Sequence, residues 1–187
     1  EIAQCLVGSE MCIRDRIHTE EKKMTNIEML ENTLPIAPLK LIAMESCKPL
    51  GQKVNDYIVS FRENTINEVT ESPLYRNYKA NNYQVDCSCP RFGSGEAKGV
   101  LKETIRGTDL FIMTDVCNYS LTYTVNGHLN HMSPDDHYQD LKRIIAAATG
   151  KARRINVIMP FLYESRQHKR TRRESLDCAL AVSYTHL

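Results

Sequence analysis

A short apolar run, Ile155-Asn-Val-Ile-Met159, stops at Pro160 and gives way to Arg166, Lys169, Arg170, Arg172 and Arg173, five cations in eight residues. A β-strand that ends in a basic loop suits an open α/β sheet, whose ligands sit beyond the carboxyl ends of its parallel strands. Two more apolar runs, Leu39–Met44 and Leu110–Met113, have the length and composition of buried strands. Between them, Leu50, Val54, Tyr57, Ile58 and Phe61 recur at helical spacing, and Asp135–Thr149 places Tyr138, Leu141, Ile144, Ile145 and Ala148 on one helical face. Strands alternating with helices predict an α/β domain with a mainly parallel sheet flanked by helices. Ser133-Pro134-Asp135 supplies a hydroxyl cap and an early proline for the second helix, and Gly150 ends it.

The intervening segments carry weaker signals. Tyr83–Cys87 alternates and reads as a strand, Pro90, Gly93 and Gly95 make a turn, and Gly99–Ile105 resumes as a strand. Asp115–Met132 is polar and aromatic, an excursion on the strand-end face, and Glu63–Asn82 reads as a loop. Residues 17–38 are charged and proline-flanked, with a short apolar rhythm at Ile27, Leu30 and Leu34, and read as a poorly ordered tail. Residues 5–16 and 182–187 resemble an in-frame translation of a sequencing-library adapter read from its two strands. On that reading 1–16 and 182–187 are set apart as adapter and flank, Met24 is the expected start, and 39–181 is the folded domain.

Lys and Arg number 24 against 23 Asp and Glu, a net charge of +1, so the overall balance calls for neither nucleic acid nor an anionic membrane as partner. No apolar run approaches the roughly 18 residues of a membrane span. Outside the two ends the cysteines are Cys47, Cys87, Cys89, Cys117 and Cys178; an irregular odd set reads as reduced thiols of a cytoplasmic protein. His128, His131 and His137, with Asp135 and Asp136, are chemically suited to a metal, but their spacing fits no closed zinc motif and surface histidines near a helix start are the simpler reading. Cys87-Ser-Cys89 lacks the second pair that structural zinc needs, which leaves both thiols to the strand before the glycine turn. There is no P-loop, and no nucleophile with an adjacent base can be picked out.

Two loops carry the chemistry. In the basic loop, guanidinium groups offer planar donors for phosphate oxygens, and Gln167 adds an amide that can meet a ligand edge; the plainer alternative is a solvated charged loop. In Arg91-Phe-Gly-Ser-Gly-Glu96 the glycines permit a tight turn that brings main-chain amides toward a ligand; taken alone, such a turn is also what a plain hairpin uses. Arg106-Gly107-Thr108-Asp109 reads as an architectural turn before the strand at Leu110.

Taken in order, these three segments resemble the N-terminal half of the ribose-phosphate pyrophosphokinase family. That family carries Arg-Phe-x-Asp-Gly-Glu, Arg-Gly-x-Asp and Pro-Tyr-x-x-Tyr-Ala-Arg-Gln-Asp at the corresponding places. Phe92, Gly95 and Glu96 match the first, while Ser94 stands for the aspartate; Pro160, Arg166 and Gln167 match the third, while Glu164 and His168 replace its second tyrosine and its aspartate. The resemblance implies a phosphoribosyltransferase-like N-terminal domain. It also implies transfer of diphosphate from magnesium-bound ATP to ribose 5-phosphate in a homo-oligomer, with the glycine loop reaching the adenine end, in many members across a subunit boundary. It implies an ATP-binding set of Phe92, Ser94, Gly95, Glu96, Arg166, Gln167, His168, Lys169 and Arg170. The family's metal-binding histidine, catalytic lysine loop and ribose 5-phosphate loop fall past the end of this sequence, so no catalytic or metal-binding residue is expected within it and the chain alone is expected to be inactive. A noncatalytic regulatory or structural homologue is the alternative, favoured by Ser94 and His168, and a nucleotide-binding domain of unrelated function is a third reading.

Overall fold

The computed structural model describes residues 35–65 and 77–183. They fall into two compact units, residues 35–163 and residues 164–183. The Ile27, Leu30 and Leu34 rhythm and the greater part of the Glu63–Asn82 segment lie outside the described residues.

In the first unit, β1 (Leu39–Ala43), β4 (Asp109–Met113) and β7 (Arg154–Ile158) form a parallel sheet in the order β1-β4-β7. Leu39 pairs with Asp109 and Asp109 with Arg154, so the three strands start in register and their carboxyl ends emerge along one edge. On the far side of β1, Leu41 donates to the Tyr83 carbonyl and Val85 donates to the Leu41 carbonyl, both at 2.8 Å. The alternation at 83–87 therefore yields a single parallel bridge at Gln84, with regular pairing confined to Cys87–Ser88.

Helix α1 (Lys48–Thr65) follows β1 after a single 3-10 turn (Glu45–Cys47). Val54 packs on the cluster of Leu41, Cys47 and Met113, whereas Leu50 and Tyr57, assigned to the same face by their spacing, are 44% and 71% exposed. The helix meets the sheet instead through Gly51, which lies against Ala43, and through buried Asn55, whose side-chain oxygen accepts from the Tyr83 amide at 2.8 Å.

Helix α2 (Pro134–Ala148) buries the face its spacing predicts, with Tyr138, Leu141, Ile144, Ile145 and Ala148 all inside. Ser133 and Asp136 exchange side-chain and backbone hydrogen bonds in a capping box, which satisfies donors the first turn would otherwise leave open. Two antiparallel ribbons complete the unit. The short β2 (Cys87–Ser88) pairs with β3 (Val100–Leu101), and β5 (Thr122–Val125) pairs with β6 (His128–His131). The second ribbon occupies part of the stretch read as an excursion on the strand-end face. It turns at Asn126-Gly127, both at positive φ (51° and 81°), which is the two-residue turn that suits the twist of a hairpin.

The second unit holds the basic loop and α3 (Asp177–Ser183), a helix that the spacing of apolar residues did not announce.

Candidate functional site

The glycine loop lies between β2 and β3. Arg91 and Ala97 form an antiparallel bridge at its mouth, Phe92 donates to the Glu96 carbonyl at 2.7 Å, and Gly95 donates to the Phe92 carbonyl at 2.9 Å. Gly95 has φ near 90°, a conformation that a residue with a Cβ rarely adopts. The loop is thus a closed turn whose amides at Phe92 and Gly95 are already spent on its own carbonyls, and these two main-chain groups do not face a ligand as the sequence reading expected. What the loop presents is side chains. The Phe92 ring is 51% exposed, and Ser94 donates its hydroxyl to the exposed Glu96 carboxylate at 3.0 Å.

The base of the loop is held by residues far away in sequence. The Arg91 guanidinium, nearly buried, donates to Asp140 on α2 at 2.9 Å, and Arg143 one turn on donates to the other oxygen of the same carboxylate at 2.6 Å. Burial pushes the Asp140 carboxyl above its ordinary range while the Arg143 hydrogen bond and the Arg91 charge pull it back. A single carboxylate in so dry a place is tolerable because both guanidiniums accompany it. Tyr123 of β5 lies beneath Arg91, its ring centre 4.7 Å from the guanidinium carbon. Helix α2 comes close because residue 99 is glycine: a Cβ there would sit 2.5 Å from the Arg143 carbonyl oxygen.

A cavity of about 270 Å³ opens beside this ion pair, bounded by the turn after β1, by Cys87–Arg91, and by Tyr123, His137 and Asp140. Burial raises the Cys87 thiol to about 11 and the Cys89 thiol to about 12, so both are protonated at neutral pH and neither is an activated nucleophile. Among the cavity residues Asp140 carried a signal in the sequence: a carboxylate set between Tyr138 and Leu141 on an apolar helix face. Nothing in the sequence tied it to Arg91.

The histidines divide. His128 and His131 lie exposed on β6, but His137 is 3% exposed and its Nε2 is 2.7 Å from the Asn118 carbonyl oxygen, which corrects its reading as a surface residue. It faces inward because it shares the helical side of Tyr138 and Leu141 and finds a backbone acceptor there. Among the described residues no group of three or more His, Cys, Asp and Glu side chains is placed to hold a metal. The Arg106–Asp109 turn is architectural: the Asp109 carboxylate accepts from Arg154 at 2.8 and 2.6 Å and from Asn156 at 2.9 Å, bracing β4 to β7.

In the second unit the basic loop is tied to itself through residues other than its cations. Gln167 donates its backbone amide to the Glu164 carbonyl and its side-chain amide to the Ser175 carbonyl at 2.9 Å, and its own carbonyl accepts from Cys178 at the start of α3. One of the two N–H donors of the Gln167 NH2 group, foreseen as a ligand contact, is therefore engaged within the loop. His168 Nδ1 lies 3.2 Å from the Ser165 carbonyl oxygen, and Thr171 donates to Glu174. Arg166, Lys169, Arg170, Arg172 and Arg173 are all exposed, and among the described residues none makes an ion pair.

A parallel sheet flanked by helices places this unit among the α/β domains. The crystal structure of phosphoribosylpyrophosphate synthetase from Mycobacterium smegmatis shares this fold with a TM-score of 0.55 at 19% identity, over 79% of this chain and 38% of that one. The family described as the N-terminal domain of ribose phosphate pyrophosphokinase matches residues 39–185, and the chain belongs to that family. Its relatives include the ribose-phosphate pyrophosphokinase of Staphylococcus epidermidis, 26% identical over 156 residues, covering 83% of this chain and 38% of the relative. That of Bacillus caldolyticus is 34% identical over 86 residues, covering 46% of this chain and 23% of the relative. This chain thus spans well under half the length of these relatives. Among the described residues no helix is long and apolar enough to cross a membrane.

Proposed function

We propose that the chain is the nucleotide-binding N-terminal half of an enzyme that transfers the β,γ-diphosphoryl group of ATP to the anomeric hydroxyl of ribose 5-phosphate, releasing AMP. The observation that carries this reading is that a single family match, residues 39–185, spans both the glycine loop and the basic loop. The exposed Phe92 ring offers a face for adenine to stack on, and Ser94 and Glu96 offer a hydroxyl and a carboxylate for the edge of the base, with Gly95 shaping the turn between them. Arg166, Lys169 and Arg170 supply charge for the phosphates, and Gln167 and His168 hold that loop in shape.

Magnesium would arrive on the phosphates of ATP, which it binds as a hard cation retaining several waters; no side chains of this chain are assigned to it. The chain's contribution to rate is positioning and charge neutralisation, and the groups that act on the ribose are supplied from outside it. By itself the chain binds nucleotide without turnover, and its working form is a homo-oligomer. Titrating magnesium-ATP into the chain and into Arg166→Ala tests the reading. Saturable binding that weakens roughly tenfold or more in the variant supports it, since a charge-assisted hydrogen bond is worth about 1.5–3 kcal/mol.

The noncatalytic homologue is the second reading, favoured by Ser94, whose hydroxyl is turned onto Glu96 where the resemblance puts a charged aspartate. Absence of ATP binding by the folded chain would select it.

A further inference from the structure

We propose that the β5–β6 hairpin is a brace for the glycine loop, with Tyr123 and Val125 as positioning residues that fix Phe92 and Glu96 for the nucleotide; the last clause of this proposal rests on the function proposed above.

The hairpin has little interior of its own. All four residues of β6 are exposed, and along β5 Thr122 and Thr124 are exposed while Tyr123 and Val125 are half-buried. Alternation along a strand sends residues two apart to the same face, so this face is the hairpin's one covered surface. Both of its residues meet the glycine loop. The Tyr123 ring carries the Arg91 guanidinium at the mouth of the loop, and a Val125 methyl lies 3.5 Å from the point where a side chain at Gly95 would begin. The base of the hairpin is pinned by the Met132 amide on the Leu121 carbonyl at 2.8 Å, and Met132 leads directly into the Ser133 cap of α2, the helix that carries Asp140. Arg91 is consequently gripped by a carboxylate from α2 and by an aromatic face from the hairpin, while Val125 borders the space beside Gly95 at the far end of the loop. The Tyr123 hydroxyl reaches Asp136 only at 3.5 Å, so the ring and not the hydroxyl does the bracing.

Hydrogen exchange in the full chain without nucleotide isolates the brace from the function. The reporters are the Phe92 and Gly95 amides, both of which are hydrogen-bonded inside the loop. Tyr123→Ala is expected to speed their exchange about tenfold, within the roughly two- to thirty-fold that a cation–π contact is worth. Tyr123→Phe should exchange at the wild-type rate, because the ring is retained. Val125→Ala, a smaller cut at a half-buried site, should speed Gly95 by about two- to threefold and still decides the matter if Tyr123→Ala fails to fold. Wild-type exchange in both Tyr123→Ala and Val125→Ala would overturn the brace.

Magnesium-ATP titration of the same proteins reads the second half. Affinity that falls in Tyr123→Ala and returns in Tyr123→Phe supports positioning. A loosened loop with unchanged affinity, in a chain that binds ATP, overturns it. If the wild-type chain binds no ATP while Tyr123→Ala still loosens the loop, the nucleotide reading fails and the brace stands.

Discussion

The glycine loop and the basic loop are the two segments in which the sequence concentrates ligand chemistry, yet they are built in opposite ways. The glycine loop is closed by its own backbone and gripped from outside by Asp140 and Tyr123, partners far from it in sequence, 49 residues from Arg91 in the case of Asp140. The basic loop is shaped by contacts within its own unit, Gln167 to Ser175 and Thr171 to Glu174, and leaves its cations in solvent. The first is organised by contacts with distant parts of its own unit. The second leaves its cations exposed and, among the described residues, without an ion-pair partner. Fixing a loop in advance lowers the entropy spent on binding, whereas flexible cations give up side-chain freedom when they engage.

The comparison can be broken most forcefully at Asp140. Replacing it with alanine strands two largely buried guanidiniums, and we expect a loss of about 3–5 kcal/mol in chemical denaturation, the cost of removing one partner from a buried pair. Retention of wild-type stability would mean that Arg91 has another anchor.

Next in size is Gly99→Ala, whose added methyl meets the Arg143 carbonyl oxygen at 2.5 Å and must push α2 away from the loop. A cost of about 1–3 kcal/mol is expected, with faster exchange at Phe92 and Gly95.

Alkaline pH should weaken the glycine-loop side as well. Burial raises Cys87 to about 11 and Cys89 to about 12 from an ordinary value of 9.0, so the folded state keeps these protons longer than the unfolded state does. Their contribution to stability is whole below pH 9 and is lost as pH rises through 11 and 12. Both thiols retain some solvent contact, which holds the expected loss to on the order of 1 kcal/mol by pH 10.5. It reads out as a fall in melting temperature that is steeper for the wild type than for Cys87→Ala/Cys89→Ala; parallel falls would show that the thiols are not the cause.

The smallest effect sharpens the contrast. Arg166→Ala should change stability by less than about 0.5 kcal/mol, because it removes an exposed side chain with no ion-pair partner among the described residues. A larger change would reveal a structural role in the basic loop.

Much of this architecture was legible in the chain. The runs at 39–44, 110–113 and 155–159 became β1, β4 and β7 within a residue or so, and the Ser133 cap and apolar face of α2 stand where the sequence put them. The hairpin was legible in principle, since Asn126-Gly127 sits between alternating residues, but its polar composition hid it. The strands expected at 83–87 and 99–105 shrank to short ribbons, because pairing depends on a partner strand and not on alternation alone.

The sequence by itself determined the elements whose cause is local: apolar runs that must be buried, a cap that must be satisfied, a glycine that alone tolerates φ near 90°, and the density of charge after β7. The tertiary structure alone decided that Arg91 meets Asp140, Arg143 and Tyr123, that His137 turns inward, and that Leu50 and Tyr57 stay in solvent. These outcomes depend on how close two helices and a hairpin can approach, which is fixed by packing among residues far apart in the chain, and no spacing within any one segment encodes that distance.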